Sequence, residues 1–87
     1  MMLENLVDLM GWAGAGLMLI PYYLVSTGRI AANSVVFQGG NVIGSILLII
    51  NSLYYGALPS VFVNVVWISI GISALIGIYV KRRATHD

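Results

Sequence analysis

A long apolar run fills most of this chain, and its one obvious break is Tyr54-Tyr55-Gly56-Ala57-Leu58-Pro59-Ser60. Residues 39–53 precede the break and residues 61–80 follow it, the second stretch carrying Asn64 and Trp67. If the break is a tight turn at a membrane surface, its flanks are spanning helices and the polar residues inside them become the informative ones. Composition supports that reading. The chain has 87 residues, of which 60% are hydrophobic and 8% charged, against about 25% charged in ordinary globular domains. Too little charge is present to coat a water-facing surface, so the expected class is an all-α membrane protein.

The first span is expected over about residues 6–26, a length that matches a hydrocarbon core of about 30 Å. Gly11, Ala13, Gly14, Ala15 and Gly16 crowd its first half, where small residues let a neighbouring backbone come close. Pro21 removes a backbone donor late in the span and predicts a bend there. Gly28 in Thr27-Gly28-Arg29 suits a helix stop, and Asn33-Ser34 reads as the N-cap of a second span over about 34–55. After the turn, Pro59-Ser60 suits the start of a third span over about 60–80, which Lys81-Arg82-Arg83 should stop. A single three-span domain thus covers 1–87. The flank Met1-Met2-Leu3-Glu4 has no Lys or Arg, so the first span reads as a retained helix rather than a signal peptide.

Orientation follows from charge. All four basic residues (Arg29, Lys81, Arg82 and Arg83) lie in the first loop or after the third span. The positive-inside rule therefore predicts an external N-terminus and a cytoplasmic C-terminus, in a multi-pass protein of the cell (inner) membrane. Topology alone explains the basic triplet, and no nucleic-acid partner is expected.

Within the second span, Gln38, Asn41, Ser45 and Ser52 fall on one helical face, beside the Gly40/Gly44 pair. Asn64, Trp67, Gly71 and Ala74 recur at helical spacing in the third span, giving an interior face with one amide, one indole and two small residues. Amides in hydrocarbon need partners. Gln38, Asn41 and Asn64 are therefore either interhelical glue or the lining of a cavity for a polar solute. Trp67 near Asn64 is either packed or a flat surface for a sugar ring. Three helices enclose too little volume for a path, so a cavity would require a second copy of the chain, and small-residue faces make a homodimer plausible.

Asp8 stands near the start of span one, where its carboxylate can reach headgroup water. No Glu, Lys or His accompanies it inside the spans, which leaves proton-coupled export without its groups. Tyr22, Tyr23, Tyr54 and Tyr55 lie near span ends, as aromatic belts do. With no cysteine and one histidine, His86, in the polar tail, no metal site and no cofactor are expected. Phosphate loops, paired carboxylates and nucleophile–base pairs are likewise missing from the sequence, so the protein is not expected to be an enzyme.

Taken together, Pro21 late in span one, Tyr55-Gly56, Pro59 and Asn64-Val65 resemble the SemiSWEET half-transporters of the PQ-loop group. The resemblance covers nearly the whole chain. It implies a SemiSWEET-like three-helix bundle, a homodimer, sugar transport, Pro21 as a hinge and Asn64 as the amide that touches sugar. The chain departs from that group in having Tyr22 after Pro21 and no tryptophan near Asn51 or Ser52. A second set of words, Gly11-Trp12, Leu24-Val25-Ser26-Thr27-Gly28-Arg29 and Pro59-Ser60 followed by Asn64 and Trp67, is similar to an uncharacterised family of small bacterial three-span membrane proteins.

The expected function is facilitated movement of a small, sugar-like polar solute through a cavity at a homodimer interface. Asn64 and Trp67 would contact solute, Asn41 and Gln38 would line the path, and Pro21 would be the hinge. The alternative is a non-transporting structural or regulatory subunit of a larger membrane complex. The two differ at Asn64, which should meet a wet cavity in the first and be bonded and sealed in the second.

Overall fold

The structure, a computed structural model, describes residues 2–85. It consists of α1 (Met2–Ser26), α2 (Val35–Tyr55) and α3 (Leu58–Thr85). All three helices are long and apolar enough to cross a membrane, so the chain is a multi-pass, all-helical membrane protein. His86 lies outside the described residues.

The helix ends follow local chemistry. Ser34 has extended backbone, and its hydroxyl accepts from the Phe37 amide at 3.2 Å, which makes it the N-cap of α2. Gly28 and Gly56 take φ of 76° and 70°, the left-handed region that favours glycine. At each, the next amide reaches back six residues inclusive, Arg29 to the Leu24 carbonyl and Ala57 to the Ser52 carbonyl. Both helices therefore end in a Schellman motif. Only Gly56 and Ala57 separate α2 from α3, so the break at 54–60 is a tight reversal.

Three boundaries differ from the sequence expectation, the first being that α1 begins at Met2 and not near residue 6. α3 starts at Leu58, with Pro59 in the first turn where a missing N–H costs nothing. It also runs through Lys81-Arg82-Arg83 to Thr85. Lys and Arg are good helix formers and favour a helix C-terminus. The charges end the apolar portion, not the helix.

α2 is the central helix. It runs antiparallel to α1 on one side and to α3 on the other, while α1 and α3 do not pack on each other. The α1 residues that become buried are Val7, Gly14 and Pro21, at every seventh position along one face. Backbones nearly touch along this seam. A Cβ on Gly44 would lie 2.7 Å from the Gly14 carbonyl oxygen, and one on Gly40 would lie 2.9 Å from the Leu17 carbonyl oxygen. The Leu17 carbonyl is the one that Pro21, lacking an N–H, leaves without its helical donor. α1 nonetheless runs through Pro21 without a break. On the other side of α2, Gly71 of α3 accommodates Val42, whose Cγ2 would be 2.8 Å from an added Cβ.

Gly44→Ala should therefore cost about 1–3 kcal/mol, because the facing atom is backbone and cannot swing away. Gly16→Ala meets nothing within 4 Å and should be neutral or slightly stabilising. Denaturant titrations of the two variants in mixed micelles check the contrast; equal stability would disprove the close seam.

Candidate functional site

The polar side chains inside the bundle sort by the direction in which they leave α2. Toward α1, Asn51 donates from Nδ2 to the Val7 carbonyl at 2.9 Å, and the Ser45 hydroxyl meets the Met18 sulfur at 4.0 Å. Toward α3, the Ser52 hydroxyl donates to the Ser60 hydroxyl at 2.7 Å. Asn41 Oδ1 accepts from the Trp67 indole N–H at 3.3 Å, while Asn41 Nδ2 donates to the Phe37 carbonyl at 2.8 Å. Among the described residues, no buried side-chain nitrogen or oxygen lacks a partner.

Asn64 is sealed. It is 7% exposed, and its Nδ2 donates to the Ser60 carbonyl at 2.9 Å, with the Ser60 hydroxyl at 3.4 Å. Ser60 thus gathers Ser52 from α2 and Asn64 from α3 into one closed knot just below the reversal. Gln38 lies at the other end of α2, where its Nε2 donates to the Ala32 carbonyl at 3.0 Å and ties the first loop to the helix. Pro21 is buried against Gly40.

Among the described residues, two of the clefts on this framework involve the polar side chains above. The first, of about 270 Å³, is lined by Met18, Leu19 and Tyr22 of α1, Phe37 and Asn41 of α2, and Trp67 of α3. It exists because α1 and α3 stand apart over α2. Its surface is hydrocarbon and aromatic ring, with the Asn41 amide already engaged at its base. Of the expected solute-contact residues, the structure brings Asn41 and Trp67 together here, and places Asn64 and Gln38 in neither cleft.

The second cleft, of about 380 Å³, lies between α1 and α2 at the end where α1 begins and α2 finishes. Asp8, Trp12, Asn51 and Tyr55 line it, with Gly11, Ala15 and Leu48. The Tyr55 hydroxyl donates to Asp8 Oδ1. Asn51 stood one position off Ser52 of the polar stripe, and that single position turns it to α1 where Ser52 meets α3. Gly11 is the signal that could have found it, since a Cβ there would sit 2.6 Å from Asn51 Nδ2. Among the described residues, no three His, Cys, Asp or Glu side chains gather as metal ligands would.

A protein-family model matches residues 7–83, which include nearly all of α1, the whole of α2 and α3 as far as Arg83. The chain belongs to that family. It is a small and uncharacterised one, in keeping with the second of the two sequence resemblances. The matched span contains both clefts and the knot at Ser60. No curated protein and no solved structure matches the chain.

The one hydrogen bond that joins two of the expected site residues can be measured. In a double-mutant cycle of Asn41→Leu and Trp67→Phe, the coupling should be about 0.6 kcal/mol, the usual size for a membrane interhelical bond. Coupling indistinguishable from zero would remove Asn41–Trp67 as a pair.

Proposed function

We propose that this protein is a non-catalytic assembly unit of the cell membrane, a subunit that docks against other membrane chains rather than conducting a solute itself. The observation that carries this reading is Asn64, closed onto Ser60 and away from both clefts. A polar group that binds solute must present a free donor or acceptor to the path. Here the inward amides and hydroxyls are already engaged, Asn64 with its own helix and Asn51, Ser52 and Asn41 Oδ1 with neighbouring helices, the latter as interhelical glue. The wide outer faces of α1 and α3 fit lipid or another chain. They include Leu19, Ile20, Phe62 and Ile70, each more than half exposed.

A second reading keeps the SemiSWEET-like homodimer with sugar-like solute transport. What favours it is the open cleft, where Asn41 and Trp67 meet and a second copy could close the missing wall. In that arrangement Pro21 would be the hinge, Asn64 and Gln38 would come to line the path, and the N-terminus would be outside. The cleft's lining argues against a polar cargo, since a sugar needs several free hydrogen-bond partners.

Proteoliposome uptake separates the readings. With a panel of sugars, amino acids and vitamins, the assembly reading expects no uptake above empty vesicles. Saturable uptake that Trp67→Ala abolishes would replace it with transport. Topology is tested independently, because the chain has no cysteine and single-cysteine variants label cleanly. Ala57→Cys should react with an impermeant maleimide from outside intact cells, and Ala84→Cys only after lysis; the reverse pattern would invert the orientation.

A further inference from the structure

We propose that the cleft between α1 and α2 at Asp8 is a binding site for an ammonium group that carries an apolar tail. This site is separate from the Asn41–Trp67 cleft and does not depend on either functional reading above. At about 380 Å³, the cleft falls within the usual range for small-ligand pockets, about 300–1,000 Å³. Its chemistry changes along its length. At the rim are the Asp8 carboxylate, the Tyr55 phenol and the Trp12 indole, and farther along α1 and α2 are Ala15 and Leu48.

Each part has a reason to be there. Tyr55 donates to Asp8 Oδ1, so the carboxylate is held in place by a neutral donor. A cation bound there would meet an anion already oriented for it. Trp12 is 80% exposed and lines the cleft together with the carboxylate, and an indole face attracts ammonium groups. Gly11 keeps the wall open, since a Cβ there would collide with Asn51. Asn51 is itself tied to the Val7 carbonyl, so the wall is braced without help from a ligand.

Charge distribution points the same way. Glu4 stands one helical turn before Asp8, and the four basic residues of the chain all lie at the opposite end of the bundle. No residue of the chain between Arg29 and Lys81 is charged, so no lysine or arginine of α2 or the reversal reaches the cleft to pair with Asp8. An anion would be repelled. A divalent metal would find one carboxylate where about six oxygen ligands are needed. An organic cation satisfies the carboxylate, the indole and the apolar floor together.

The same chemistry is offered by an amine-bearing lipid headgroup and by a free amphiphilic amine. Benzyltrimethylammonium is the probe, titrated calorimetrically into the full chain in non-ionic maltoside micelles. Saturable binding at one site per chain is expected. It should weaken by at least about tenfold in Asp8→Asn and in Trp12→Leu, from loss of the ion pair and of the cation–π contact. Asp8→Glu should restore most of the affinity, and Trp67→Phe should leave it unchanged. Benzyl alcohol, which has the ring without the charge, should not compete. Because Trp12 is exposed, Trp12→Leu keeps the test decisive if Asp8→Asn does not fold.

Unsaturable binding, equal binding by Asp8→Asn or Trp12→Leu, or competition by benzyl alcohol would each overturn the proposal. Short-chain phosphatidylethanolamine, compared with phosphatidylglycerol, then distinguishes the sources. Selective displacement of the probe by the former assigns the site to a lipid headgroup, and displacement by neither assigns it to a free amine.

Discussion

The contact on which the rest of the bundle depends is the near-touching of two backbones, α1 on α2, through Gly14 with Gly44 and Leu17 with Gly40. In a bilayer, apolar side chains gain little by leaving lipid for protein, so close van der Waals packing must hold helices together. Glycine makes that packing possible by removing the side chain between the two cylinders. Pro21 completes the seam. Its ring fills the space beside Gly40, and the carbonyl it leaves without a helical donor, that of Leu17, lies at a second close approach of the two backbones. An alanine at Gly44 would push the helices apart, and the Asn51–Val7 and Ser45–Met18 contacts would lengthen with them.

Lipid also explains why α2 carries so many of the polar residues. A central helix has two protein neighbours, so it has two directions in which an amide or hydroxyl can be paired. Asn51 and Ser45 use α1, while Asn41 and Ser52 use α3. The outer helices have only one such direction. Among the described residues, the polar side chain buried on them is Asn64, which donates to the Ser60 carbonyl one turn back on its own helix. Elsewhere on them, serine bonds its own helix, as Ser69 does with the Val65 carbonyl.

The two ends of the bundle differ in kind. At the basic end, Arg29 lies over the Tyr23 ring at 5.9 Å and Arg83 over Tyr79 at 5.8 Å. Aromatic rings and cations there anchor one another at the level where hydrocarbon meets water. The opposite end has carboxylates and rings without cations: Asp8 with Tyr55, and Tyr54 edge-on to Tyr55 at 5.0 Å. A long α3 and a compact reversal set these ends apart along a bundle 53 Å in its greatest dimension. Chemistry at one end can thus be separate from anchoring at the other.

Three apolar helices, their stops at Gly28 and Gly56, the Ser34 cap and the shared face of Asn41, Ser45 and Ser52 were all legible in the amino-acid order. Each depends on interactions within a few residues or on the helical period, and both are local. The basic triplet misled about where α3 ends, because hydropathy marks the membrane boundary while propensity marks the helix. What only the tertiary structure decided is which neighbour each polar face meets. Periodicity gives the angle at which Asn51 or Ser52 leaves its helix, but not what stands at that angle. The sandwich order, with α2 between partners that do not pack on each other, turned Asn51 onto α1 and set Ser52 of α2 against Ser60 of α3. It also brought Asp8 and Tyr55 together from positions 47 residues apart. That pairing comes from the antiparallel register of α1 and α2, which the glycine seam sets and no local pattern encodes.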